Sequence, residues 1–120
     1  MSFLLQAEAE LRGLTPDALS GQPPHAVVWQ APDSPTFARH HRAAEQGATA
    51  FPNGYLPVAC LPETDPEAVF RRAQHLDDPW HHQPGVQAAP GARPYSLSVG
   101  DVISVRDAAY LVLPCGLHKL

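Results

Sequence analysis

A chain of 120 residues, of which 44% are hydrophobic and 17% charged, has the size and apolar content of one globular domain that folds without disulfides or a structural metal. The formal net charge is −4, and the only lysine is Lys119. A nucleic-acid partner is therefore not expected, because each phosphate contact needs a basic side chain.

Residues 1–21 predict a helical segment rather than a targeting sequence. Apolar residues at helical spacing indicate a helix over residues 3–12, and a Thr-Pro-Asp start signal followed by Gly21 indicates a second, shorter helix. The apolar run is too short for a signal peptide and is followed at once by Glu8 and Glu10. Since no stretch approaches ~18 apolar residues, we expect no membrane span and a cytoplasmic protein.

The next part of the chain carries one strand signal and one helix signal. Residues 26–30, AVVWQ, predict the first strand. A Ser-Pro start and a glycine stop bound a predicted helix over residues 34–47. Its narrow apolar face is expected to hold Phe37, His41 and Ala44.

A turn and a second strand are predicted to follow. Asn53-Gly54, flanked by aromatic residues, is a strong hairpin signal and predicts a hairpin over residues 51–55. The sequence YLPVACL, residues 55–61, predicts a strand. Because Pro57 has no N–H to donate to a ladder, this strand is expected to lie at a sheet edge or to be bulged there.

The clearest helix signal covers residues 66–76, with Thr64 or Asp65 as the cap. Its predicted apolar stripe consists of Val69, Phe70, Ala73 and Leu76. A Pro-rich, irregular segment leads from this helix to VISV and AYLVL, which predict an antiparallel hairpin, and the last residues are expected to add a short strand or a packed tail.

Together these elements predict a two-layer α+β domain, in which one or two helices pack on a small, mostly antiparallel sheet. Neither a repeat nor a low-complexity linker divides the sequence. Residues 1–120 are therefore expected to form a single domain.

The stretch HLDDPWHH is the strongest candidate for a binding surface, because it gathers three imidazoles and two carboxylates. The candidate binding residues are His75, Asp77, Asp78, Trp80, His81 and His82. Such side chains can hold zinc or iron, but the stretch is also typical of a helix end followed by a polar turn, so we predict no metal ligand. Among the aromatic residues, Trp80 is the one most expected to be partly exposed, which is favoured at protein interfaces. The favoured interpretation of the stretch is nevertheless that Trp80 folds back into the core and the histidines are solvated.

The cysteines give no strong signal for catalysis. Cys60 and Cys115 each lie in an apolar run and are interpreted as small buried residues. A disulfide between them would require neighbouring strands at the right separation. Because the sequence has no nucleophile elbow, Gly-rich phosphate loop or zinc-protease motif, no catalytic residue and no cofactor is predicted.

Several short pieces of residues 64–120 form a recognisable arrangement. They are the acidic helix start at Asp65, Gln74-His75-Leu76-Asp77 with Trp80, the S-x-S-V-G-D-V motif at residues 96–102, Tyr110, and Gly116-Leu117. This arrangement resembles small uncharacterised bacterial proteins, many of them encoded on plasmids, phages and integrated elements. Relative to that pattern, residues 34–47 and 51–55 look like an insertion, and Leu117 replaces a usual aromatic residue. The resemblance implies an accessory protein rather than an enzyme.

The residues of the S-x-S-V-G-D-V motif also have a purely structural interpretation. Ser96 and Ser98 are expected to bond nearby backbone in a turn. Gly100 allows a backbone angle that other residues resist, and Asp101 is expected to accept amides of the turn.

These observations predict a non-enzymatic, protein-binding accessory or regulatory protein of a bacterium or its mobile elements. The partner protein is not identified, and a homodimer is plausible because surface charges are few. The alternative is a metal-dependent or thiol enzyme centred on residues 75–82.

Overall fold

The computed structural model describes residues 2–75 and 77–120. The described helices are α1 (Phe3–Arg12), α2 (Pro16–Ser20), α3 (Ser34–Glu45) and α4 (Pro66–Arg72), with a single 3₁₀ turn at Trp80–His82. The described strands are β1 (Ala26–Gln30), β2 (Leu56–Leu61), β3 (Gln87–Ala88), β4 (Val102–Val105), β5 (Ala108–Leu113) and β6 (Gly116–Lys119).

The six strands form one antiparallel sheet in the order β3-β2-β1-β4-β5-β6. All five residues of β1 are buried, because this strand lies inside the sheet between β2 and β4. The consecutive strands β4, β5 and β6 form a meander, so the predicted VISV–AYLVL hairpin is confirmed, and of the two alternatives for the last residues the structure shows the short strand.

Two hydrophobic clusters cover the two faces of the sheet. Alternate residues of β1 belong to different clusters, as the two-residue period of a strand requires. The first cluster packs α4 and the 3₁₀ turn on the sheet through Val28, Leu61, Val69, Trp80 and Ile103, among others. The second packs α1 and α3 through Leu4, Val27, Trp29, Ala44 and Leu111, among others. The predicted α+β domain with a small antiparallel sheet and packed helices is confirmed.

Short polar side chains fix where the helices begin. Ser2, Asp33 and Asp65 are the N-caps of α1, α3 and α4, and each accepts a hydrogen bond from a backbone N–H of the first turn. The predicted cap of the last helix is therefore Asp65 rather than Thr64. α1 ends at Gly13, whose φ of 68° is the left-handed conformation that favours glycine.

Three local predictions need correction. The Asn-Gly turn is present, but it connects α3 to β2, so no hairpin forms at residues 51–55. The helix predicted over residues 66–76 ends at Arg72; Leu76 lies outside the described residues. The buried face of α3 holds Thr36, His40 and Ala44 instead of Phe37, His41 and Ala44.

The expectation for Pro57 is confirmed as a local irregularity of β2. Trp29 pairs with Pro57 and Val28 pairs with Ala59, so the register shifts by one residue between them. β3 pairs with β2 only at Ala59 and Cys60, which leaves the outer edge of β2 without a strand partner at Pro57. A residue without an N–H is accommodated at such a position.

No helix in the described part of the chain combines the length and the apolar character that a membrane crossing requires.

Candidate functional site

The predicted binding residues at 75–82 form a hydrogen-bonded turn after α4. The backbone N–H of His75 donates to the hydroxyl of Ser96 at 2.7 Å, and Nδ1 of His75 accepts from the backbone N–H of Trp80 at 3.0 Å. Asp77 and Asp78 lie in an exposed bend. These contacts give His75 a structural role, since its ring closes the turn.

Trp80 lies in the core, as the favoured interpretation of this stretch predicts, and it is not the partly exposed residue that the binding hypothesis requires. Only 1% of Trp80 is accessible, and its Nε1–H donates to the carbonyl oxygen of Tyr95 at 2.8 Å. Burial removes the large apolar surface of the ring from water, and the hydrogen bond gives the indole N–H an acceptor. The turn therefore lacks the aromatic contact that its prediction as an interface relied on.

The three imidazoles of this turn lie near one another. The ring centroids of His81 and His82 are 4.5 Å apart, and those of His75 and His81 are 6.1 Å apart. Burial, together with the neighbouring His82 and His75, lowers the pKa of His81. Among residues 2–75 and 77–120, no three or more His, Cys, Asp or Glu side chains are arranged to hold a metal ion.

The two cysteines occupy different environments and are not bridged. Cys60 is fully buried in β2, as predicted, and burial raises the pKa of its thiol to about 11. A thiol with that pKa contributes almost no thiolate near neutral pH. Cys115 is exposed in the turn between β5 and β6, which corrects the expectation of a buried residue.

The S-x-S-V-G-D-V motif forms a structural turn that enters β4. Ser98 donates its hydroxyl to the carbonyl oxygen of Ser96, and the backbone N–H of Ser98 donates to the carboxylate of Asp101. Gly100 has a φ of +97°, and its Cα faces the backbone of His40 in α3. The predicted roles of Ser98, Gly100 and Asp101 are therefore confirmed. The prediction for Ser96 is wrong, because its hydroxyl accepts the backbone N–H of His75, 21 residues earlier, instead of bonding the nearby turn.

Asp101 is the centre of a buried polar network that joins this turn to β1. Its carboxylate accepts hydrogen bonds from the hydroxyl of Tyr95 at 3.0 Å, the amide of Gln30 at 3.2 Å and the backbone N–H of Ser98 at 2.9 Å. Gln30 also bonds both the N–H and the carbonyl oxygen of Tyr95. Tyr95 completes the network by accepting the N–H of Ala31.

Only 1% of Asp101 is accessible, and this burial raises the pKa of its carboxyl group to about 7 despite the three donors. The folded protein therefore holds a proton that the unfolded chain loses near pH 4. The contribution of this group to folding is complete below about pH 4 and is lost as pH rises through about 7.

We expect wild-type protein to lose about 2 to 3 kcal/mol of unfolding free energy relative to Asp101→Asn between pH 5 and pH 8, because only the wild type must ionise a buried carboxyl. Urea unfolding of both proteins over this range measures the difference. The lowered pKa values of His25, His40 and His81 act in both proteins and cancel. If the unfolding free energies of the wild type and Asp101→Asn change with pH in parallel, the expectation is contradicted.

Two adjoining grooves lie at the end of β1, beside this network. The first, here called the Leu56 groove, has a volume of about 550 Å³. Its lining includes Ala31, Leu56, Val58, Ala89, Pro90 and Arg93. Leu56 is 51% exposed, one of the three large hydrophobic residues that the described surface leaves this open. Its lining side chains are aliphatic apart from Arg93, which suits an apolar side chain, while polar atoms contribute a large share of the exposed lining.

The second, here called the Phe37 groove, has a volume of about 430 Å³. Its lining includes Ala31, Pro32, Asp33, Phe37, Arg93 and Tyr95. Phe37 and Tyr95 pack edge to face with their centroids 5.3 Å apart. The two grooves share Ala31, Pro32 and Arg93, so Arg93 lies at their junction.

The grooves lie beside a part of the sheet where none of the residues 2–75 and 77–120 forms an outer strand. β3 covers β2 only at Ala59 and Cys60, and Ala89 adds one hydrogen bond to the carbonyl oxygen of Val58. Beyond that point, Leu56 and Pro57 form the outer edge of β2 among the described residues. Because Pro57 has no N–H, this short edge offers few backbone hydrogen bonds, so an extended peptide beside it would be held mainly by the groove.

This surface was not predicted, although two of its signals are present in the sequence. Pro57 marks β2 as an edge or bulged strand, and the Pro-rich segment supplies Pro90 and Arg93. Neither signal predicts that the Pro-rich segment folds back over the end of β1. That placement depends on the hydrogen bonds between Gln30 and Tyr95.

Comparison of the chain with models of protein families, with curated proteins and with solved structures finds no match.

Proposed function

We propose that the protein is a non-enzymatic binding module that captures an extended segment of a partner protein along the outer edge of β2. The observation that carries the proposal is the half-exposed Leu56 at the meeting point of an uncovered strand edge and an apolar groove. Exposed apolar surface of this kind is typical of interaction sites.

The chemistry around the groove supports binding rather than catalysis. The lining of the Leu56 groove is aliphatic apart from Arg93, so it offers no nucleophile with an adjacent base. The carboxyl of Asp101 has a strongly shifted pKa, but it is buried behind Tyr95 and bonded on both oxygens. Its role is to hold Tyr95 as a wall of the Phe37 groove.

The biological setting of this binding role rests on the resemblance of residues 64–120 to small bacterial proteins. Because that resemblance implies an accessory protein, the module would serve to recruit or regulate its partner rather than to transform it. The turn at residues 75–82 remains a second predicted contact through His82, Asp77 and Asp78, which are exposed.

A random linear peptide library displayed on phage tests the proposal. Peptides enriched on the wild-type protein should bind Leu56→Asp at least about tenfold more weakly, because burying a leucine contributes about 1.5 to 3 kcal/mol and 1.4 kcal/mol is a factor of ten. Fluorescence polarisation of the synthesised peptides measures the affinities.

Leu120→Asp is the matched control, because Leu120 is 49% exposed and lies beyond β6, at the opposite edge of the sheet. It should bind the enriched peptides as the wild type does. Circular dichroism checks that both variants fold. Failure to enrich any peptide, or equal binding by Leu56→Asp and the wild type, would overturn the proposal.

A further inference from the structure

We infer that the captured segment carries an Asp or Glu side chain that Arg93 receives, with an apolar side chain on either side of it. The inference rests on the proposed function and specifies the chemistry of the partner. It starts from the position of Arg93, which is shared by the Leu56 groove and the Phe37 groove.

Arg93 is exposed, and among the described residues it makes neither an ion pair nor a hydrogen bond through its guanidinium. The three ion pairs found in that part of the chain involve Arg12, His41 and Arg72 instead. Arg93 therefore presents a free planar donor set between two apolar grooves. A carboxylate is the group that matches this donor set with two parallel hydrogen bonds.

A segment that filled both grooves without a carboxylate would cover Arg93 with apolar atoms. Removing the guanidinium from water without a partner is costly, because an isolated charge loses its hydration. A lysine or arginine at the same position would add repulsion between like charges. The junction therefore discriminates against apolar and basic residues.

Asp33 restricts where the acidic residue can lie. Its carboxylate caps α3, and the hydrogen bonds from Thr36 lower its pKa, so it is ionised at neutral pH. Because Asp33 lines the Phe37 groove, a second carboxylate there would be repelled. The net charge of −4 gives an acidic segment no long-range attraction, so recognition depends on the local contact with Arg93.

The continuity of the two grooves selects a side chain rather than a chain terminus as the source of the carboxylate. An α-carboxylate on Arg93 would end the segment at the junction and leave one groove empty. An internal Asp or Glu allows the chain to continue and place apolar residues in both grooves, where the aliphatic lining and the Phe37–Tyr95 pair receive them.

Parallel selections from the same phage-displayed peptide library test the inference. Wild-type protein should enrich peptides with one acidic residue between apolar residues, and Arg93→Glu should enrich basic residues at that position. Arg71→Glu makes the same charge change at an exposed site on α4 and should select the wild-type motif. If the selections on Arg93→Glu and on the wild type enrich the same peptide motif, the inference is overturned.

A charge exchange with synthetic peptides gives an independent measurement. Replacing the acidic residue of the peptide by lysine should weaken its binding to the wild type at least tenfold. The same lysine peptide should regain affinity for the Arg93→Glu variant, and failure to regain it would overturn the inference. Amidation of the peptide C-terminus should leave binding unchanged, and loss on amidation would likewise overturn it. If Arg93→Glu has no effect while Leu56→Asp abolishes binding, the inference about the carboxylate is wrong and the proposed function stands. If Leu56→Asp binds the peptides as the wild type does, both the inference and the proposed function are wrong.

Discussion

Val69→Asp is expected to leave the domain unfolded. Val69 has no accessible surface, and it packs α4 against the sheet in the same cluster as Ile103 and Trp80. An ionised carboxylate at this site would have no partner, and the cost of burying it is several kcal/mol, comparable with the whole stability of a small domain. Circular dichroism and thermal melting measure the outcome.

Arg71→Asp provides the control within the same helix. Arg71 is exposed in the last turn of α4, so the same new side chain meets water there. The loss should be below about 1 kcal/mol, from a less favourable interaction with the helix dipole. If Val69→Asp melts cooperatively at the temperature of the wild type, α4 does not contribute to the core as described.

The sheet was predictable because its strands carry local signals. The apolar sequence AVVWQ became β1, a strand buried on both faces, and the two β-branched runs became β4 and β5 with the turn between them. Pro57 indicates the irregularity in β2 from the sequence alone, because it has no N–H for the ladder. In each case the residue type restricts the backbone directly.

The errors arose where long-range contacts override local signals. The backbone N–H of Leu97 donates to the carbonyl oxygen of Ala73, so the chain after Arg72 bonds to the Pro-rich segment instead of continuing α4. His40 rather than His41 is buried in α3, because its ring stacks on Tyr55 with centroids 3.8 Å apart. Nothing in the local sequence distinguishes the two histidines.

The candidate site was the least predictable part of the molecule. The binding hypothesis relied on an exposed Trp80, but its indole N–H donates to the carbonyl oxygen of Tyr95, 15 residues later in the sequence. The grooves depend on Gln30, an unremarkable strand residue whose amide holds the backbone of Tyr95. A buried glutamine that bonds a distant loop has no signature in a single sequence.

Gly100→Ala should destabilise the domain by about 3 kcal/mol or more, because two costs add: a backbone φ of +97° is strained for any residue with a Cβ, and the new atom overpacks its neighbours. That Cβ would lie 2.7 Å from the carbonyl carbon and oxygen of His40 and 2.9 Å from the nitrogen of His41. Since these are backbone atoms of α3, a side-chain rotation cannot relieve the contact.

Gly47→Ala separates the two costs of the Gly100 substitution. Gly47 has a φ of +74° but nothing within 4 Å of a built Cβ, so only the backbone strain remains, and the loss should be about 1 kcal/mol. Urea unfolding of both variants beside the wild type measures the difference. Equal losses of unfolding free energy would mean that α3 moves away from Gly100 at no cost. A clearly larger loss for Gly100→Ala would establish that the S-x-S-V-G-D-V turn is closely packed against α3. This helix carries the Phe37 side of the proposed binding surface.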